Sequence, residues 1–209
     1  MPNWCNNFVE ISHEDPAKIR ALADAMNNSE FCSHVIPTPK ELTETVAGSV
    51  PEGPQRDAHE AQMERNVELY GSKDWYDYQV SRWGTKWDVG GDSQADVSDD
   101  GKTMTASFDS AWSPPQGVYQ ELYEQGYTVR AYYYESGMAF CGVWEEGGDD
   151  YYEIGDMSAD EVEATIPSDL DEMFCISEGI REFQEDDEEL TDWITEGVEE
   201  RKKLGLVVA

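Results

Sequence analysis

Positive charge is what this sequence most lacks. Its 209 residues hold 14 Lys and Arg against 46 Asp and Glu, a formal net charge of -32. A chain so negative is repelled at long range by nucleic acid and by anionic membrane, and is attracted to basic surfaces. Ordinary electrostatic binding of DNA is therefore disfavoured. Cysteine is also scarce: Cys5, Cys32, Cys141 and Cys175 stand far apart with no Cys-x-x-Cys pair, so they read as buried free thiols rather than a disulfide framework. His13, His34 and His59 are equally scattered, and no metal site is assigned. No apolar run approaches the roughly 18 residues that a membrane span needs, and Met1-Pro2-Asn3-Trp4-Cys5 offers neither a basic nor an apolar signal region. A cytoplasmic protein that binds no membrane is expected. Absent too are Gly-x-Ser-x-Gly, His-Glu-x-x-His and phosphate-loop patterns, so neither an enzymatic activity nor a cofactor is expected. Around Gly101, Asp96, Ser98 and Asp100 occupy calcium-loop positions, but Ser107 stands where that loop requires Glu, leaving a turn.

What is present describes a folded protein. Hydrophobic residues make up 39% of the chain, with seven Trp and eleven Tyr, enough for a core that a disordered acidic tail could not build. Val9 and Ile11 share one face of an opening strand. Asp15-Pro16 then caps a helix whose Ile19, Leu22, Ala23 and Met26 form one stripe ending at Asn27-Asn28. Residues 37–71 are punctuated by Pro and Gly and read as a loop insertion with a helix over Asp57 to Leu69. Asp99-Asp100-Gly101-Lys102 is a hairpin turn leading into a strand, where Met104, Ala106 and Phe108 alternate with polar residues. A helix over Gln116 to Gln125 and strands over Tyr127 to Glu135 and Met138 to Trp144 follow. Ser158-Ala159-Asp160-Glu161 is a capping box, Pro167-Ser168 opens another helix, and Leu190, Trp193, Ile194 and Val198 supply the apolar stripe of a last one.

This order fits an α+β fold: a ferredoxin-like antiparallel sheet with helices on one face, a loop insertion and an acidic helical C-terminal extension. Residues 1–147 would form the core, with the insertion at 37–71, and 148–209 a mostly helical extension packed on it.

Four segments carry a resemblance. Asn3-Trp4-Cys5-Asn6-Asn7, Trp83-Gly84-Thr85-Lys86-Trp87-Asp88, Phe108-Asp109-Ser110-Ala111-Trp112-Ser113-Pro114-Pro115 and Tyr133 to Val143 together resemble the YubB-type ferredoxin-like proteins of phages and plasmids, over about residues 1–147. The resemblance implies a ferredoxin-like core in a mobile-element accessory protein and supplies no catalytic residues.

The acid is polarised. Between Glu145 and Glu200 stand twenty-three Asp and Glu against one base, Arg181, a net -22 in 56 residues. Along a C-terminal helix Glu182, Asp186, Glu189, Glu196 and Glu200 recur at steps of three, four or seven, about 6 Å between neighbours. Duplex DNA carries one charge per about 1.7 Å of axis, so one helix edge is too sparse to imitate it. Glu145, Glu146, Asp149, Asp150, Asp160 and Glu161, with Asp156 and Glu163, would have to converge with it. The expected function is that of a non-enzymatic phage or mobile-element protein, which inhibits a host defence protein by offering its basic nucleic-acid-binding surface a DNA-like array of carboxylates; a homodimer is left open. Two alternatives remain. Trp83, Lys86, Trp87, Trp112 and Arg130 could form an aromatic and basic pocket that sequesters a small nucleotide, although the plainer reading of the same Trp residues is that they close the core, with Lys86 or Arg82 paired to Asp88 or Asp109. The acid could also be a halophile-type solvated surface with no partner.

Overall fold

The computed structural model describes residues 3–90 and 94–203, apart from the side chains at 186–190, 192, 197 and 199–203. It divides into two compact units, Met1–Glu153 and Ile154–Ala209. The fold is α+β with an antiparallel sheet of ferredoxin-like type.

In the first unit the order is β1 (Trp4–Ser12), α1 (Pro16–Asn27), α2 (Phe31–Val35), α3 (Lys40–Thr43), α4 (Pro54–Tyr70) and α5 (Trp75–Trp83). There follow β2 (Asp96–Val97), β3 (Thr103–Ala111), α6 (Gln116–Glu124), β4 (Thr128–Glu135), β5 (Phe140–Glu145) and β6 (Gly148–Glu153). The strands lie in the order β2-β3-β1-β4-β5-β6, every neighbouring pair antiparallel. Side chains alternate across a strand, and here the alternation selects one face. Val9 and Ile11 of β1, Met104, Ala106 and Phe108 of β3, Val129 and Ala131 of β4 and Trp144 of β5 form one buried cluster with Ile19, Leu22 and Met26 of α1, Phe31 of α2, Trp83 of α5 and Val118, Tyr119 and Leu122 of α6. Beside it Asn7 is buried but satisfied, its amide donating to the Cys5 carbonyl at 2.7 Å and to Ser110 Oγ at 2.8 Å.

Local chemistry explains the element boundaries. Asp15 caps α1 by accepting from the Ala17 amide at 2.9 Å, ahead of Pro16 at the first helical position. Asp100 holds the β2-β3 turn, accepting from Ser98 Oγ and the Lys102 amide. The β5-β6 loop has two residues, Glu146 and Gly147, both at positive φ, as a right-twisted hairpin demands. Glu135 is buried and closes the β4-β5 turn by accepting from the Gly137 and Met138 amides.

Two segments and one cysteine differ from the sequence reading. The 37–71 stretch is mostly ordered structure, α3 and α4. Although α4 has almost no apolar face, it is anchored by buried Asn66, which donates to Thr45 Oγ1 at 2.9 Å and to the Lys73 carbonyl at 2.8 Å. Residues 148–153, expected to begin a helical extension, form β6 and belong to the sheet. Cys5, Cys32 and Cys141 are buried as expected, but Cys175 is exposed. Burial pushes the Cys5 thiol up to about 12 and, with Asp88 beside it, raises that of Cys32 well above its ordinary value. A thiol reagent should therefore titrate one cysteine quickly in the native protein and four after unfolding; fast reaction of more than one would contradict this burial.

The second unit holds α7 (Ala159–Thr165), α8 (Ser168–Phe174) and α9 (Ile176–Lys203). The capping box at Ser158 and Glu161 is present in both directions. α7 and α8 each contact α9, and Val162, Leu170 and Ile176 are buried apolar residues of this unit. At 28 residues, α9 is about 42 Å long. No described helix is long and apolar enough to cross a membrane.

Candidate functional site

The aromatic motifs converge at one end of the sheet. α5 begins at Asp74, whose side chain accepts from the Asp77 amide at 2.9 Å, and ends at Gly84 in the left-handed conformation. The chain then runs across the end of β3. There Thr85 is buried and bridges Ala111 twice, donating to its carbonyl at 3.1 Å and accepting from its amide at 3.0 Å. The next residue, Lys86, places its ammonium 4.5 Å from the ring centroid of Trp87, 5.4 Å from that of Trp112 and 5.5 Å from that of Tyr76. Trp4 lies 6.0 Å from Trp87, and Tyr76 meets Trp112 edge-on at 6.5 Å. Trp4, Trp87 and Trp112 are all part-exposed. Trp112 also holds a backbone φ of +68°, which a bulky residue adopts only when its surroundings impose it. Its amide donates to the Asn3 carbonyl at 2.9 Å.

The structure thus brings together three of the five residues expected in an aromatic pocket, Lys86, Trp87 and Trp112, and adds Trp4 and Tyr76. The other two lie elsewhere. Trp83 is 2% exposed, belongs to the core and donates through its indole N–H to the Ile36 carbonyl at 2.8 Å. Arg130 sits in β4 opposite Glu10, six residues along β1 from Trp4 and so about 20 Å away. It pairs with Glu145 at 3.7 Å and lies over the Tyr132 ring. Neither aspartate takes the partner expected of it. Asp88 accepts from the amides of Cys32 and Ser33, capping α2 from a distance, and Asp109 accepts from the Asn6 amide group. Lys86 is held by rings instead, a cation over π-faces. A nucleotide site built on Trp83 and Arg130 is not assembled.

The acidic residues separate into two groups. Several have internal work: Glu145 pairs with Arg130, Asp149 accepts from the Tyr133 hydroxyl at 2.7 Å, and Glu161 closes the capping box. Arg181 bridges Asp160 at 3.4 Å and Glu163 at 2.8 Å. Asp171 accepts from the Ser177 amide and hydroxyl, while Glu146 and Asp150 in the β5-β6 hairpin and Glu178, Glu182, Glu185 and Glu196 on α9 are exposed. Asp186, Glu189 and Glu200 lie outside the described residues. Sequence periodicity marked Trp193, Ile194 and Val198 as an apolar stripe but not their exposure, and did not mark Phe183: Phe183, Trp193 and Ile194 are 74%, 72% and 50% exposed, and Val198 is exposed as well. The side chain of Leu190, the fourth residue of that stripe, lies outside the described residues. Among the described residues no group of three His, Cys, Asp or Glu is placed to hold a metal ion.

No family model matches the chain, and no curated protein matches it. Among solved structures it is similar to the crystal structure of a protein named api92 from Yersinia pseudotuberculosis, of family DUF1281. The TM-score is 0.39 at 12% identity, covering 74% of this chain and 99% of that one.

Proposed function

We propose that the protein is a non-enzymatic binding protein of a phage or other mobile element. Working in the host cytoplasm, it occupies the basic nucleic-acid-binding surface of a host protein, such as a defence nuclease, through its acidic C-terminal helix. The observation that carries this reading is the pairing of carboxylates with exposed apolar groups on α9, where Phe183, Trp193 and Ile194 stand in water beside Glu182, Glu185 and Glu196. A shell of charge serving solvation alone gives no reason to expose large aromatic side chains, whereas a recognition surface does. Carboxylates steer the encounter with a basic partner, and buried aromatics then slow its release. Because Glu145, Asp149, Asp160 and Glu161 already have partners within the chain, the proposed carboxylate array is that of α9 rather than a convergence of every acid in the segment.

The test is capture from a bacterial lysate at moderate salt by the intact chain, beside a variant with Gln or Asn at Glu182, Asp186, Glu189, Glu196 and Glu200. The expected result is one nucleic-acid-binding protein retained by the intact chain only and released by added duplex DNA, with retention falling steeply as salt rises. Recovery indifferent to charge or to DNA overturns the proposal. A stability that climbs steeply into molar salt, with nothing captured, assigns the acid to solvation.

A further inference from the structure

A second feature of the first unit is independent of α9. Beside Trp112, a cleft of about 330 Å³ opens between the loop after β3 and the β5-β6 hairpin. Its walls are the rings of Trp112, Phe140 and Tyr151; its polar groups include Tyr133, Asp149 and Gln116. Phe140 and Tyr151 pack at 5.5 Å between centroids, and Tyr133 meets Phe140 at 6.1 Å.

The polar end of the cleft is built across a glycine. In register, Tyr133 of β4 faces Gly142 of β5, which faces Tyr151 of β6; two pairs further along, and so on the same face, Trp144 faces Asp149. The Tyr133 side chain lies over Gly142, where an added Cβ would stand 2.2 Å from its hydroxyl, and so reaches past β5 to donate to Asp149 Oδ1 at 2.7 Å. Burial, and Asp149 beside it, hold the Tyr133 phenol far above its ordinary range, so it remains a hydroxyl donor at physiological pH. With its proton given to Asp149, the Tyr133 oxygen can only accept further bonds, and so can the second carboxylate oxygen. No base among the described residues pairs with Asp149. The cleft therefore asks for a ligand that donates hydrogen bonds, carries positive charge and presents a flat apolar face.

We propose that this cleft binds the guanidinium of an arginine side chain, stacked against the Trp112 and Tyr151 rings with its fork on Asp149. A guanidinium is planar, weakly hydrated and bidentate toward carboxylate, which suits aromatic walls better than a compact ammonium does. The Trp112 ring already accepts a cation, because the Lys86 ammonium stands 5.4 Å from its centroid. The net charge of -32 raises the local concentration of any cationic peptide and repels a nucleotide in its place. The arginine belongs to a partner protein; that assignment rests on the function proposed above, while the chemistry of the cleft does not.

The experiment uses the full chain and a defined probe, N-acetyl-arginine amide, with N-acetyl-citrulline amide as its neutral isostere. The tryptophan indole resonances are followed by NMR, with that of Trp112 assigned by Trp112→Phe. The arginine probe should shift the Trp112 resonance saturably, citrulline should bind at least about tenfold more weakly, and Asp149→Asn should lose about tenfold. Asp150→Asn changes the neighbouring charge on the opposite face of β6 and should leave binding intact. Equal loss in the two variants, or equal binding of citrulline, reduces the effect to general attraction of cations and overturns the site. A shift by guanosine and not by the arginine probe makes the cleft a nucleobase site and overturns it as well. Because the probe needs no partner, an empty lysate capture with a positive titration rejects the α9 function alone, and the reverse rejects the cleft alone.

Discussion

Trp83→Ala should lower the stability of the first unit by about 3–5 kcal/mol, the range for deleting a large buried aromatic ring, while Trp112→Ala should cost far less. The two residues belong to similar tryptophan-rich segments, and composition does not separate them. Burial does: Trp83 is 2% exposed within the cluster that joins α5 to the sheet, and its indole N–H donates to the Ile36 carbonyl. Removing the ring leaves both a cavity and an acceptor without its donor. Trp83→Phe should fall between, keeping most of the volume and losing the hydrogen bond. Urea unfolding of the three variants checks this, with the midpoint compared at constant slope. A Trp112→Ala loss as large as that of Trp83→Ala would mean that the exposed aromatic cluster is core after all.

Gly142→Ala is expected to be the second severe change, and for a reason invisible in composition. The new methyl would stand 2.2 Å from the Tyr133 hydroxyl, 2.5 Å from the carbon that bears it and 2.6 Å from the Asp150 carbonyl. One of those atoms is backbone in a paired strand, so the side chain cannot relieve the collision by itself. Overpacking of this kind costs about 1–3 kcal/mol or more, and displacement of Tyr133 breaks its bond to Asp149. The variant should therefore lose both stability and response to the arginine probe. Gly148→Ala in the same hairpin is the control: its added methyl meets only the Glu145 carbonyl at 3.5 Å, an ordinary contact, and a change within about 0.5 kcal/mol is expected. Comparable losses at the two glycines, by thermal unfolding, would contradict the register that places Tyr133 over Gly142.

What could be read from the sequence was what local chemistry decides. The Asp15-Pro16 cap, the alternation of Met104, Ala106 and Phe108 and the box at Ser158 and Glu161 each specify an element without help from elsewhere, and each element is present. α5 was not assigned from the sequence, because its aromatic run from Trp75 to Trp83 carries no clear helical stripe; its Asp74 cap is seen in the structure. β6 escaped because Gly148-Asp149-Asp150-Tyr151-Tyr152-Glu153 holds residues that strands usually avoid, and the pairing with β5 overrides that preference. The aromatic cluster was half legible. Trp87 and Lys86 are adjacent in sequence and Trp112 was conspicuous, but Trp4 and Tyr76 join them only because β1 pairs with β3 and α5 delivers its first turn to the same end. The exposure of the apolar groups of α9 was not legible for a similar reason: periodicity shows that a stripe exists and is silent on what covers it.

The two outer strands of the sheet carry a consequence for how this molecule behaves when crowded. β2 is two residues long, too short to template a neighbour, and β6 carries Asp149, Asp150 and Glu153 along the other border. A second copy approaching the β6 border would meet a row of like charge. The β6 border is thereby guarded against strand addition by its own charge, whereas β2 covers only Met104 and Thr105 of β3 and, among the described residues, leaves the rest of that nine-residue strand without an outer strand partner.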